Sequence, residues 1–371
     1  MTAELTATYH MQEQIRATGS SVRLSLEPAF RAVVAEAAQR MVSAGRERYY
    51  ATGCGTSFHA ATHARYLFRA IAGIDVTTIG TSDLVQCPPV GLDRSLLLVY
   101  SHSGVSKATV DAAGAASTAV TVAIVNVPGT PLTEVVDHTV VVPGGRDTAL
   151  AKSRSFTVTM LSNTLLALEL GSRTGCLTTA GRQRWEDLLS EVPAAIDEAV
   201  AIEDEIRAYV RGATDIGYWF FVGSNVNSVM AMEAALKLKE TSYVMAEGFE
   251  TEEAGHGRLQ PVDERSMVVA FATDPSADRR LVDILEASKA IGARITVVAP
   301  YAETTLAPLA DDLIRVPEMP DPLLSPLVNI VPAQILACEL AVALGYNPDL
   351  IRTDQPRYGR ANGIVFPPGT H

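Results

Sequence analysis

The sequence predicts an α/β protein of two tandem, doubly wound parallel-sheet domains with similar, flavodoxin-like topology. Three observations carry that prediction. The chain has 371 residues, more than one ordinary hydrophobic core organises, so two domains are expected. One strand–glycine turn–helix pattern is written twice. Residues 48–53 (RYYATG) lead into CGTSFHAATHARYLFRAIAG, and residues 218–223 (YWFFVG) lead into SNVNSVMAMEAALKLKE. Further apolar runs keep nearly the same register: 96–100 with 267–271, 123–125 with 297–299, and 137–143 with 311–317. Such runs are apolar on both faces, as strands of a helix-covered parallel sheet must be.

In chain order, residues 1–39 are expected to form a helical segment and 40–180 the first domain. Residues 181–205, acidic and helix-rich, connect to the second domain at 206–349. The end, 350–371, is rich in Pro, Gly, Arg and Asn and is expected to be an irregular tail.

Apolar residues make up 47% and charged residues 19% of the chain, the balance of a globular protein. Net charge is −12, which argues against a nucleic-acid or anionic-membrane partner. No run reads as a transmembrane helix, and the first residues lack the basic and apolar zones of a signal peptide. Cys54, Cys87, Cys176 and Cys338 form no framework and no CxxC pair, so reduced thiols in a cytoplasmic protein are expected. No cofactor is expected, and no metal, because no second histidine stands at ligand spacing from His256.

In open parallel sheets, ligands sit where glycine turns meet helix N-termini. The first domain offers two such turns, Gly53-Cys54-Gly55-Thr56-Ser57 and Ser101-His102-Ser103-Gly104-Val105-Ser106. Hydroxyls and free amides at a helix start make an anion nest, although Ser and Thr are also ordinary N-caps. Residues 149–157 (ALAKSRSFT) bring Lys152, Arg154 and more hydroxyls to a third helix start. The corresponding turn of the second domain, Phe271-Ala272-Thr273-Asp274-Pro275, carries an acid and a proline and is not expected to hold phosphate. The anion is therefore assigned to the first domain and the reactive groups to the second.

Those groups are read in residues 231–259. Glu233, Lys237 and Glu240 share one helical face. An acidic, glycine-punctuated loop then ends in Ala254-Gly255-His256-Gly257, where glycines let the backbone approach a ligand and aim the ring. Glu240 and His256 are the candidate acid/base pair. Glu233 and Lys237 also read as a solvated i,i+4 ion pair.

CGTS at 54–57, SHSG at 101–104 with Ser106, the helix EAALKLKE at 233–240, GHG at 255–257 and DQPR at 354–357 follow one another across residues 40–366. In these motifs the chain resembles sugar isomerase (SIS) domain proteins, and among them the isomerase half of glucosamine-6-phosphate synthases. The resemblance implies a hexose or hexosamine 6-phosphate held by Cys54, Gly55, Thr56 and Ser57 and by Ser101, His102, Ser103 and Ser106. Leu150, Ala151 and Lys152 would meet the sugar. Glu240 would be the base moving a proton between C1 and C2, and His256 would open the ring, usually from the neighbouring subunit. Glu233 and Lys237 would shape the site, and a homodimer with shared active sites follows.

Two departures from that family pattern matter. No glutaminase domain stands before these motifs and Met1 is not followed by cysteine, so a glutamine-independent reaction is expected. The synthase tail lysine, which forms a Schiff base with the ketose, aligns near Ala361, and no lysine follows Lys289. Arg360 stays protonated and cannot replace it. His102 and Val105 also stand where the synthase has glutamine and an acid.

Aldose–ketose proton transfer remains accessible without the lysine. A carboxylate partly shielded from water serves as base, imidazole can protonate the ring oxygen near neutral pH, and the anchored phosphate orients the sugar. With an amine on C2, the same shift gives an imine that water hydrolyses. The expectation is an isomerase/deaminase acting on an amino-sugar phosphate. The alternatives are a fructosamine-phosphate deglycase and a non-catalytic sugar-phosphate sensor. Against the sensor stand Glu240, His256 and the absence of a basic DNA-binding extension in the first 40 residues.

Overall fold

The structure, a computed structural model, describes residues 8–272 and 279–367. Its strands form two five-stranded sheets. In the first, β1 (Arg48–Thr52), β2 (Val76–Thr78), β3 (Ser95–Ser101), β4 (Val120–Val125) and β5 (His138–Val141) lie in the order β2-β1-β3-β4-β5. In the second, β6 (Tyr218–Gly223), β7 (Met245–Glu250), β8 (Ser266–Phe271), β9 (Arg294–Pro300) and β10 (Asp312–Val316) lie in the order β10-β9-β8-β6-β7. Read from the other edge, this is the first order again. Every pairing is parallel. The repeat in the sequence is thus a repeat in topology.

The two repeats share one hydrophobic core. Alternate residues of a strand face opposite ways, and β3 divides its side chains accordingly. Leu96, Leu98 and Tyr100 enter a cluster that also takes Trp219, Phe221, Met267 and Val269 from the second sheet. Leu97 and Val99 enter a separate cluster outside the first sheet, as Phe220 and Val222 do outside the second. At the ends of β1 and β6, glycine lets the next helix start against the strand. A Cβ on Gly53 would lie 2.8 Å from the Ser57 carbonyl carbon, and one on Gly223 only 2.5 Å from the Asn227 oxygen. Both helix N-termini are thereby brought to the carboxyl edges of their sheets.

Four differences from the sequence reading have physical causes. Strands β2 and β7 are absent from it, and both are edge strands. β7 reads MAEGFE, is mostly half-exposed and carries no apolar run, so its residues look like loop. Residues Pro322–Ala343 are long and apolar enough to cross a membrane, contrary to expectation, but 89% of their apolar window is buried inside the molecule. They serve as a core helix. The tail is not wholly irregular: Pro356–Val365 is a helix, with proline at its first position, where its missing N–H costs nothing. Thr273, Asp274 and Pro275 lie outside the described residues.

The N-terminal segment is helical, as His10–Arg16, Thr18–Leu26 and Pro28–Ser43. Asp349 accepts the His10 and Met11 amides at 2.8 and 2.9 Å, tying the first helix to the far end of the chain.

Candidate active site

The two repeats meet where the helix Thr56–Leu67 of the first lies against Asn227–Thr241 of the second. Glu233 and Lys237 point into that seam and are completely buried, so the solvated-pair reading is wrong. Their spacing places them on one face, and that face is the interior one.

The buried pair Glu233 and Lys237 is fully partnered. The Lys237 ammonium has three acceptors: Glu240 Oε2 at 2.6 Å, Thr56 Oγ1 at 2.9 Å and Glu233 Oε1 at 3.2 Å. The Thr56 hydroxyl donates to Glu233 Oε1 at 2.9 Å, and His59 Nδ1 lies 2.6 Å from Glu233 Oε2. Burial alone would raise the Glu233 carboxyl, but Lys237, His59 and Thr56 hold it below the usual range. Burial would likewise lower Lys237, yet Glu233 and Glu240 keep it above its ordinary value. Both are therefore charged.

Glu240 differs from Glu233. Burial raises its pKa above the ordinary value, against the pull of Lys237, while 23% of its side chain stays exposed. Solvent moderates the rise. Oε2 is committed to Lys237, and Oε1 has no protein partner among the described residues. A carboxylate held at one oxygen, free at the other and raised in basicity is suited to take a proton from carbon.

Thr56 links this chain to a cavity in the first repeat. That cavity is lined by Thr56, Ser57, Ser101, His102, Asn126, Lys152, Ser155 and Thr159 with apolar neighbours. With its proton on Glu233 and one lone pair on Lys237, Thr56 can offer a ligand only its remaining lone pair, and so would accept from a sugar hydroxyl.

Opposite Thr56, His102 Nε2 accepts the Asp147 amide at 3.2 Å, which puts the ring proton on Nδ1. Burial, aided by Lys152 and opposed by Asp147, lowers the His102 pKa to about 4, so it faces the cavity as a neutral donor at neutral pH. Lys152 donates to the Ala149 and Asp147 carbonyls at 2.6 and 3.1 Å. Its pKa is lowered by burial, opposed by Asp147. The Asp147 carboxylate holds this loop together, accepting from the amides of Ala149, Ser153 and Ser155 and from the Ser155 hydroxyl. Arg154, by contrast, is spent on the Gly144–Arg146 carbonyls.

The remaining sequence candidates are placed as follows. Ser103 and Ser106 share the Ser101 turn, while Leu150 is 46% exposed and Ala151 buried. These four, with Cys54 and Gly55, do not line that cavity. His256 is exposed. Within one chain no hydrogen bond or ion pair joins Glu240 to His256 among the described residues, and the histidine that does join the chain is His59. Sequence reasoning missed His59, Asp147 and Asn126. For His59 a signal existed: it follows Thr56 at i+3 on a helix, and such residues share a face.

Comparison with known proteins identifies the family of the two repeats. The SIS domain family matches residues 44–169 and 217–344, one match on each repeat. The chain belongs to the SIS family. Glutamine–fructose-6-phosphate aminotransferase (isomerizing) of Pyrococcus horikoshii is 33% identical over 306 residues, covering 82% of this chain and 50% of that protein. The chain thus spans about half the length of the curated relatives it matches. The C-terminal domain of glucosamine-fructose-6-phosphate aminotransferase from Francisella tularensis superposes with a TM-score of 0.85 at 21% identity, covering 94% of this chain and 99% of that one. Tagatose-6-phosphate ketose/aldose isomerase from Escherichia coli gives 0.77 at 20% identity, covering 94% and 96%. These two likenesses concern the fold. In this SIS chain the seam between repeats holds the wholly buried pair Glu233 and Lys237.

Proposed function

We propose that this SIS protein is a phosphosugar isomerase/deaminase that moves a proton between C1 and C2 of an amino-sugar phosphate, with Glu240 as the base. One observation carries the reading: Glu240 stands at the open end of a buried ion chain whose other branch, Thr56, lines the cavity of the first repeat. A 6-phosphate among Ser101, His102, Lys152 and the N-terminus of the Thr56–Leu67 helix would aim the sugar's C1–C2 end at the seam.

On an open-chain 2-amino aldose phosphate, Glu240 would remove the C2 proton and return it to C1. The resulting C2 imine is hydrolysed by water, releasing ammonia and the ketose phosphate. Lys237, fixed by three acceptors, would hold Glu240 in place and weigh against a second proton reaching it. Ring opening is assigned to His256 of a second copy in a homodimer, because its own loop leaves it exposed. The absence of lysine beyond Lys289 favours proton chemistry without a tail Schiff base.

Ammonia release and ketose formation across a panel of hexose and hexosamine 6-phosphates test this. The expected result is ketose and ammonia in equal amounts from one hexosamine phosphate. Ketose from an unaminated aldose phosphate, without ammonia, would make the protein a simple isomerase. Binding without turnover on the whole panel would make it a sensor.

A further inference from the structure

The ion chain does not end at Glu233. A second cleft, open to solvent and lined by His59 with Leu236, Lys239, Glu247 and Phe249 among others, shares no lining residue with the first cavity. His59 therefore has Glu233 on one side and this cavity on the other. Glu233 is ionised and offers only lone pairs, so the proton between them belongs to His59 Nδ1, and Nε2 is left free to bind or release a proton. Nε2 has no hydrogen-bond partner among the described residues, and the side chain is 15% exposed.

We propose that His59 is a positioning residue of the reaction: Nδ1–H anchors the buried Glu233, while Nε2 exchanges a proton with the second cavity so that the buried chain keeps its charge when Glu240 is protonated. The inference rests on Glu240 being the base. With His59 protonated and Glu240 ionised, the four groups His59, Glu233, Lys237 and Glu240 carry no net charge. They are again neutral when Glu240 holds the substrate's proton and His59 has released its own to cavity water. Without that release the seam would carry a net positive charge, which is costly where water is excluded. The substrate proton stays on Glu240 for return to C1, and the His59 proton goes to solvent and comes back. Lys239 and Glu247, the other charged groups lining the cavity, are of opposite sign.

Two measurements decide this. The first is the NMR titration of the His59 ring in ligand-free wild type and in Glu240→Gln. Removing the Glu240 charge is expected to lower the His59 midpoint by about half a pH unit; an unchanged midpoint overturns the coupling. The second is His59→Asn, whose amide N–H can take the place of Nδ1–H but cannot bind a proton. On the substrate found by the panel, kcat is expected to fall about tenfold with KM within about twofold, and added imidazole to restore part of kcat. Unchanged kcat overturns the proposal. So does a loss that imidazole does not relieve, which would leave His59 a structural residue. The titration needs no substrate, so an inactive wild type would sink the sugar-phosphate reading while His59–Glu240 coupling was still decided.

Discussion

Glu240→Gln is expected to lower turnover by about 10²- to 10⁴-fold, the range for loss of a positioned general base, with phosphosugar affinity nearly unchanged. The substitution is close to isosteric. The amide oxygen can still accept from Lys237, so the Thr56–Lys237–Glu233 arrangement has a partner in place of the carboxylate. Only the capacity to hold a proton is lost. The wild-type pH profile supplies a companion result. Because burial raises Glu240, activity should already fall, as pH is lowered, at values above those of an ordinary glutamate; below that point Glu240 is protonated and cannot act as base. Steady-state kinetics and ligand-binding calorimetry on the two proteins separate kcat from affinity. A variant that loses affinity instead of turnover would place Glu240 in binding.

Lys237→Met is expected to cost about 3–5 kcal/mol of stability, the range for removing one partner of a buried ion pair. The cost arises at Glu233, which is wholly buried and would keep only Thr56 and His59. Glu240 adds less, because it is partly exposed and water can screen it. Adding Glu233→Gln to Lys237→Met removes the stranded charge, so the double variant is expected to be more stable than Lys237→Met alone. Urea denaturation of the three proteins reads this. A Lys237→Met protein as stable as wild type would mean that the seam charges are solvated after all.

Much of the fold was legible because its signals are local and repeated. Both strand–glycine–helix units could be read from apolar runs that end at Gly53 and Gly223, where the backbone needs the missing side chain. Strands β2 and β7 could not: β2 is three residues long and β7 reads MAEGFE, with no apolar run such as the other edge strands β5 and β10 carry. The site was legible in its residue types. Spacing placed Glu233, Lys237 and Glu240 on one face but could not say whether that face was wet, because burial is decided by the helix Thr56–Leu67 from the other repeat. The same limit hid His59, whose partner lies on the facing helix, and it joined His256 to Glu240 through sequence proximity alone. In the folded chain, the loop that carries His256 leaves it exposed.

The central claim is that Glu240 carries the proton between C1 and C2, and the most direct test is the isotopic fate of that proton. Turnover of the identified hexosamine phosphate carrying deuterium at C2 should place that deuterium at C1 of the ketose product in the wild type, with none in Glu240→Gln over the same time. Transfer of the C2 deuterium to C1 by Glu240→Gln at the wild-type rate, or ketose formed by the wild type with none of that deuterium at C1, would contradict it.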